Sequence, residues 1–308
     1  MPTPAVSGSF GDLLDVRFQK IWNDARGTLP EIRPMLFETA PSNGRNDMRW
    51  SDVGAFGDFE PFVGEVTYQG RNQGYDTVST PLEFTSGFAV ERKLYDDDQY
   101  NIMDRNPSGL ADSYVRTREK DAARMFNNAF GVDSYFYVNS ENVPLCSNSH
   151  TTTDGDADTT SGFDNLVTTS LSAVAVAAAR EQMVGFRDDR GNRIPMQPDE
   201  IMISQGGGQY EIAFEIVSSR GKVDQMTNNA NVHEGAYKII EWNYLTDANN
   251  WFMMDSRRRK QSLYWLDRIA VEFGYVEEFD TLVAKWRAYA RWANAHIDWR
   301  WILGAQVS

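Results

Sequence analysis

The first apolar pattern along the chain is a helical stripe near the N-terminus. Large apolar residues recur there at three- and four-residue steps, which places them on one helical face: Phe10, Leu13, Leu14, Phe18, Ile21 and Trp22. Prolines at positions 30, 34 and 41 break any helix that follows. We therefore expect residues 1–50 to form an arm that crosses a surface, against which Phe18 and Trp22 are buried.

Residues 51–100 alternate β-forming and polar residues. The alternation covers VGEVTYQG (63–70) and YDTVSTPLEFTSGFAV (75–90), and GRNQG between them (70–74) has the composition of a turn. The pattern predicts a long, partly exposed hairpin. An ordinary surface hairpin on a compact domain fits the same pattern equally well.

Two helices are predicted in the middle of the chain. Asn106-Pro107 supplies an N-cap and a first-turn proline, and an apolar face continues from there to Gly131. A polar segment (143–162) is predicted to be a loop. Ser161 and Asp164 then have the spacing of a capping box, which predicts a second helix that ends near Gly185.

The last third of the chain is predicted to be mostly strand. Strand patterns occur in PDEIMIS (198–204), AYKIIEW (236–242), NWFMMD (250–255), SLYWL (262–266) and a closing run over 282–292. One short helix interrupts them, with its predicted apolar face formed by Tyr210, Ala213, Phe214 and Val217. The order of elements predicts a mixed α+β fold.

Composition narrows the function classes. The 308 residues carry a net charge of −14, which disfavours binding to nucleic acid phosphates. The single cysteine, Cys146, excludes an intrachain disulfide and a cysteine cluster for zinc or iron–sulfur. The N-terminal sequence has no secretory signal pattern, and no apolar run reaches the length of a membrane span.

The sequence contains no convincing catalytic or metal-binding motif. His150 lies four residues after Cys146, but we interpret both as solvated loop residues. The acidic run that starts at Asp154 imitates a calcium loop, yet Thr159 and Asn165 stand where such a loop needs glycine and glutamate. We therefore predict no cofactor, no metal and no catalytic residue.

Three further motifs have simple structural explanations. Gly206–Gly208 precede a helix as a phosphate loop would, but the lysine of such a loop is missing. Residues 96–98 (Asp-Asp-Asp) fit a solvated junction better than a metal site. The basic run Arg257–Lys260 lies between two predicted strands, where a contact with an acidic neighbouring subunit and a solvated turn are equally plausible.

The order of these segments resembles the major capsid proteins of tailed bacteriophages, which have the Hong Kong ninety-seven-type fold. Within that family the chain looks closest to the major head subunit of Mu-like phages and prophages. The resemblance rests on PLEFTSGFAVERKLYDDD (81–98), MFNNAF (125–130), FDNLVTTSLSAVAVAAAREQM (163–183), DDRGNRIPMQPDEIMIS (188–204) and FDTLVAKWRAYARWANAHIDWRWILGA (279–305). It covers residues from about 10 to 304.

The resemblance implies an α+β subunit with four parts. An N-terminal arm (1–50) would reach over a neighbour, and an extended β-hairpin loop (51–82) would lie on the adjacent subunit. A peripheral domain with a long spine helix would comprise 83–164 and the C-terminal return, 271–308. Residues 165–270 would form an axial domain around the five-fold and six-fold axes.

The implied function is structural. Pentamers and hexamers of the chain would form an icosahedral head around double-stranded DNA, in the virion, after assembly in the cytoplasm of a bacterial host. We expect either a separate scaffolding protein or a chain that is already processed to its mature form. A portal is a further expected partner, the presence of a decoration protein stays open, and no contact with a membrane is expected. A Lys–Asn crosslink is not expected, because residues 66–80 contain no lysine.

Candidate interface residues follow from this interpretation. They are Phe10, Phe18 and Trp22 on the arm, Phe62, Tyr68, Arg71 and Tyr75 on the hairpin, and Arg257, Arg258 and Arg259 in the basic run. One alternative is an encapsulin-like nanocompartment, which has the same fold but encloses an enzyme. The other is a soluble enzyme, for which no motif argues.

Overall fold

The computed structural model describes residues 11–42, 44–91, 93, 102–153, 158–221, 230–278, 280–281 and 283–307. The helices are α1 (Gly11–Thr28), α2 (Arg33–Leu36), α3 (Arg105–Asn127), α4 (Ala173–Val184), α5 (Gln209–Ser218) and α6 (Ser256–Ser262). The strands are β1 (Glu38–Ala40), β2 (Met48–Val53), β3 (Gln73–Ser79), β4 (Leu82–Glu91), β5 (Tyr137–Asn139), β6 (Leu166–Val167), β7 (Glu200–Ser204), β8 (Lys238–Trp242), β9 (Trp251–Met254), β10 (Leu263–Glu278), β11 (Val283–His296) and β12 (Ile302–Ala305).

A four-stranded sheet of order β1-β10-β11-β4 supports the N-terminal helix. The predicted stripe on α1 is confirmed for Phe18 and Trp22, which are buried. Phe18 packs edge-on against Trp286 with ring centroids 5.0 Å apart, and Trp22 stacks on Phe273 at 5.3 Å. The surface that the arm needs is therefore a sheet of its own chain.

A five-stranded sheet of order β6-β12-β9-β7-β8 forms the second half of the core. All residues of β7, β9 and β12 are buried, as expected for short, continuously apolar strands covered on both faces. Phe126, near the end of α3, packs edge-on against Trp242, Phe252 and Trp301 of this half. It also packs edge-on against Phe37, which contacts Trp265 of the four-stranded sheet and so joins the two halves. The strands predicted at 198–204, 236–242 and 250–255 are confirmed, as are those at 262–266 and 282–292.

The predicted hairpin is present in altered form. The first strand predicted at 63–70 is wrong: β3 pairs instead with β2, and β5 completes a three-stranded sheet. Residues 54–72 between β2 and β3 contain no strand. The other half of the predicted second strand is β4, which joins the four-stranded sheet by pairing with β11. Alternation identifies a strand but does not say which strand it pairs with.

The predicted helix starts differ from the observed ones. α3 follows a 3₁₀ turn (Ile102–Asp104), and the side chain of Asn106 approaches Met103 Sδ instead of capping the helix. α4 begins only at Ala173, where Ser172 Oγ accepts a hydrogen bond from the Ala175 amide. The Asp164 carboxylate accepts from the Leu166 amide, which holds the chain in an extended conformation that enters β6.

Two further elements refine the prediction. α5 begins directly after Gly206–Gly208, but Tyr210 and Phe214 stack on each other on its exposed side while Ala213 and Val217 are buried. The prediction of one apolar face containing all four is therefore wrong. β12 lies within the predicted C-terminal return (271–308), yet it pairs with β9 and β6 in the five-stranded sheet.

Candidate interaction surface

The segment between β2 and β3, residues 54–72, is the most exposed apolar part of the described chain and is called the exposed loop below. Phe59 is 99% exposed, Val63 92%, Tyr68 91% and Phe62 75%. A soluble chain rarely leaves so many large apolar side chains together in water, and such clusters mark binding surfaces. Phe62 and Tyr68 were predicted from the sequence as interface residues, whereas Phe59 and Val63 were not.

The exposed loop is anchored at its base. The Ala55 amide donates to Asp189 Oδ1 at 2.8 Å, and Arg190 Nη2 donates to the Gly70 carbonyl at 2.6 Å. Arg71 Nε donates to the Gly54 carbonyl at 2.6 Å across the loop. A Cβ at Gly54 would lie 2.3 Å from Asp189 Oδ2, so a larger residue there would displace the carboxylate that accepts from the Ala55 amide. These contacts fix where the loop leaves the body of the protein.

A charged cluster lies under the base. Arg300 is buried, pairs with Asp298 at 2.8 Å and donates through Nε to the Arg187 carbonyl at 2.7 Å. Burial, and then the neighbouring Asp298 carboxylate, raise the pKa of Asp52 above its ordinary value. Asp52 of β2 therefore lies close to Asp298 and Arg300, which follow β11, at the base of the loop.

The histidine predicted to be solvated is buried beside this cluster. The ring of His150 stacks on Trp299 at 4.1 Å, its Nδ1 lies 3.2 Å from Glu141 Oε1, and its Nε2 lies 3.1 Å from Asn165 Oδ1. The interpretation of His150 and Cys146 as solvated loop residues is therefore wrong. Burial raises the pKa of the Cys146 thiol well above its ordinary value, so this thiol is not a reactive one. Burial also lowers the pKa of nearby His296 to about 4.

The arginines of the basic run have separate positions on α6. Arg259 is buried and forms a two-pronged ion pair with Glu200, with Nη2 2.8 Å and Nε 3.0 Å from Oε2. Its Nη1 also donates to the carbonyls of Met35 and Leu36. Arg257 is exposed and donates to a backbone carbonyl, whereas Arg258 is half-buried and its pKa is lowered by burial.

The remaining predicted interface residues also differ in how buried they are. Phe18 and Trp22 are core residues of this chain, and Phe10 lies outside the described residues. Tyr75 is half-buried, and its hydroxyl lies 2.7 Å from Thr151 Oγ1. Arg71 also approaches the Phe56 ring, with its guanidinium carbon 5.0 Å from the ring centroid.

The described residues contain no cluster of potential metal ligands. Among them, no group of three or more His, Cys, Asp or Glu side chains could hold a metal ion. Residues 96–98 and 154–157, which carry two of the acidic motifs, lie outside the described ranges. In the part of the chain that the structure describes, no helix combines the length and apolar character needed to cross a bilayer.

Most of the chain matches a known protein family. Residues 74–304 match the family described as phage capsid protein. The match runs from β3 to β12 and so spans all three sheets. No curated protein matches the sequence.

Solved structures share the fold at low sequence identity. The capsid of cyanophage P-SCSP1u has a TM-score of 0.62 and 12% identity, over 91% of this chain and 88% of that chain. The mature capsid of bacteriophage PhiM1 has a TM-score of 0.57 and 8% identity, over 91% and 88%. A virus-like particle from Pyrococcus furiosus has a TM-score of 0.51 and 9% identity, over 94% and 98%. The predicted α+β capsid fold of the Hong Kong ninety-seven type is confirmed.

Proposed function

The chain belongs to the phage capsid protein family and is a structural capsid protein, and we propose that it builds the head of a tailed phage. Copies of the chain assemble into pentamers and hexamers, which close an icosahedral shell around double-stranded DNA. Within the family, we place it nearest the major head subunit of Mu-like phages and prophages. Its role is architectural, not enzymatic.

The observation that carries this proposal is the family match over residues 74–304. The exposed loop supports it, because Phe59 and Tyr68 are almost fully in water and need a partner surface. In a shell, the neighbouring subunit supplies that surface. We therefore assign interface roles to Phe62, Tyr68, Arg71 and Tyr75 on and beside the loop.

We propose that the subunit divides into the parts that the resemblance implies. We assign residues 1–50 to the arm, 51–82 to the extended loop and 83–164 to the peripheral domain, with 165–270 as the axial domain. The C-terminal return, 271–308, belongs with the peripheral domain except for β12, whose pairing with β9 favours the axial domain. Arg257, exposed on α6, is a candidate for an ion pair with a neighbour; the guanidinium of Arg259 is already paired inside the chain.

The expected partners follow from shell assembly. A scaffolding protein, a portal and a decoration protein would join the subunits, and assembly would take place in the host cytoplasm. DNA would be enclosed without sequence-specific contacts, in keeping with the net charge of −14. A nanocompartment for an enzyme cargo is the second candidate, and the likeness to a virus-like particle concerns its fold alone. The family match favours the phage head.

The test is the assembly state of the purified chain, measured by analytical ultracentrifugation and negative-stain microscopy. Closed shells or rings of five and six subunits are expected, and their diameters and contents separate a phage head from a nanocompartment. A monodisperse monomer at all concentrations and salt levels, even with a scaffolding protein added, would contradict the proposal.

A further inference from the structure

A tight turn between α4 and β7, residues 187–193, reaches the base of the exposed loop. The Asp188 amide donates to the Asn192 carbonyl at 2.9 Å, as in a hairpin. The Asp188 carboxylate accepts from the amides of Arg190 and Asn192 at 2.9 and 2.8 Å. Gly191 supplies the positive φ of 83° that closes the turn. The turn therefore keeps its shape through its own hydrogen bonds.

The tip of this turn holds both limbs of the exposed loop. On the outgoing limb, the Ala55 amide donates to Asp189 Oδ1, and on the returning limb the Gly70 carbonyl accepts from Arg190 Nη2. Each bond involves a charged side chain, which makes it stronger than a bond between neutral groups. We call Asp189 and Arg190 the clasp pair, because two adjacent residues hold two separate points of the loop.

The flanking strands do not by themselves fix the direction of the loop. β2 and β3 bring its ends together at the Val53–Gln73 pair, and the Gly54 amide donates to the Asn72 carbonyl at 2.9 Å. These bonds, like the one from Arg71, join the two limbs to each other and leave them free to rotate together about the base. A contact from outside the loop stops that rotation. Among the described residues, the hydrogen bonds of the clasp pair are such contacts.

The turn is attached to the core that contains the five-stranded sheet. Phe186, directly before the turn, is fully buried and packs edge-on against Trp299 with ring centroids 5.2 Å apart. Arg300, the next residue after Trp299, donates through Nε to the Arg187 carbonyl at 2.7 Å. Trp299 and Arg300 lead into β12 of the five-stranded sheet. The position of the clasp pair is therefore tied to that sheet.

We propose that Asp189 and Arg190 are positioning residues that set the direction in which the exposed loop leaves the subunit, so that this direction follows the five-stranded sheet. The loop is joined in sequence to β2 and β3, yet its orientation is controlled by a turn from the other half of the core. A shift of the five-stranded sheet relative to the four-stranded sheet turns the loop with it. The inference goes beyond the proposed function, because it concerns a single subunit and holds whether or not copies assemble.

A distance measurement tests the proposal. Spin labels at Tyr68→Cys on the loop and Val174→Cys on α4, both exposed positions, give the distribution of distances between the loop tip and the body by double electron–electron resonance. α4 packs on β9 and β12 of the five-stranded sheet. The native Cys146 is buried and stays unlabelled. The labelled chain is diluted into unlabelled chain, so that each distance comes from one subunit.

The variants separate the clasp pair from its surroundings. Asp189→Ala/Arg190→Ala removes both contacts and should broaden the distance distribution at least about two-fold. The matched control, Asp58→Ala/Arg193→Ala, removes the same two residue types at exposed positions of the loop and the turn and should leave the width unchanged. Asp189→Asn keeps an acceptor for the Ala55 amide and should stay narrow. Thermal unfolding reports whether each variant folds.

Equal widths in the double variant and the matched control would overturn the assignment. A distribution that is already as broad in the unmodified chain as in the double variant would overturn it as well. If the double variant does not fold, Arg190→Ala alone removes the bond to the Gly70 carbonyl and is compared with Arg193→Ala by the same criterion. None of these outcomes depends on assembly, so a failure here leaves the proposed function standing.

Discussion

The arm helix and the exposed loop carry similar aromatic side chains, yet they end in opposite environments. Phe18 and Trp22 on α1 are buried against a sheet of their own chain, whereas Phe59 and Tyr68 on the loop are almost fully in water. Both segments lie before the first long strand of that sheet. From the sequence, the large apolar side chains of both require a surface that covers them. Only the folded chain shows which partner is internal.

The difference comes from how each segment is attached. α1 is a regular helix that lays one face along α3 and the sheet, so its apolar stripe is satisfied locally. Among the described residues, the contacts that attach the loop to the body of the protein lie at its base, through Asp189 and Arg190, with Arg71 bonding across the loop. The apolar side chains at its tip are not covered by the described part of the chain. An apolar arm thus does not by itself indicate a contact between subunits. An apolar tip that stays exposed in the folded chain is the better candidate for one.

The largest expected effect is the difference in stability between truncating a side chain of the arm helix and truncating one of the loop. Trp22→Ala should lower the free energy of unfolding by about 3–5 kcal/mol, because it leaves a cavity between α1 and the sheet. Phe59→Ala should change it by less than about 0.5 kcal/mol, because the side chain is exposed. Urea unfolding of isolated subunits measures both. Equal losses would show that the loop tip packs on its own chain in solution, which would remove the contrast.

The basic run also contains a buried and an exposed side chain of the same type, Arg259 and Arg257. Arg259→Met leaves the Glu200 carboxylate buried without its partner, and we expect a loss of about 3 kcal/mol in the free energy of unfolding. Arg257→Met, at an exposed position, should cost less than about 0.5 kcal/mol. Thermal unfolding at neutral pH compares them. A small effect of Arg259→Met would mean that the buried pair contributes little beyond its own desolvation.

Local sequence signals predicted the strands well but not their partners. The apolar run of β7 and the strict alternation of β11 are readable because each strand carries its own pattern. β2 (Met48–Val53) was missed, because only its pairing with β3 makes it a strand. The start of α4 was misplaced because the spacing from Ser161 to Asp164 imitates a capping box, while the working cap is Ser172. Which strands pair, and which residue caps a helix, depend on tertiary contacts that a local sequence pattern does not contain.

The candidate interface was predictable in part for a similar reason. Phe62 and Tyr68 are noticeable in the sequence as aromatic residues near turn-forming ones, but nothing periodic marks Phe59, since the loop has no regular structure. A run of arginines is visible in the sequence, yet the partner of Arg259 is Glu200, 59 residues away. Sequence reasoning selected a loop that is exposed in the structure. It could not tell which cations were already paired within the chain.

A smaller effect is expected at the loop base. Asp189→Ala removes the acceptor of the Ala55 amide, and we expect the base to weaken by about 1 kcal/mol. Hydrogen exchange at residues 55–57 should accelerate accordingly, while the rest of the chain stays protected. Asp58→Ala, at the exposed tip, is the matched control and should leave the base unchanged. Unaltered exchange in the Asp189 variant would show that other contacts hold the loop.

The smallest expected effect is a pH dependence of the folding stability, which arises from a residue in the body of the protein and not from the loop. Burial raises the pKa of Asp121, on α3, to about 6, although its carboxylate accepts a hydrogen bond from Trp292 Nε1 at 3.1 Å. The unfolded chain restores the ordinary value of 3.8, so the folded state binds the proton more tightly. Stability should therefore fall as pH rises from about 4 through 6, by less than about 1 kcal/mol because the site is partly open to solvent. Asp121→Asn keeps an acceptor for Trp292 and should flatten this part of the profile, whereas Glu65→Gln on the loop should leave it as it is; a profile that Asp121→Asn does not alter would assign the dependence to another group.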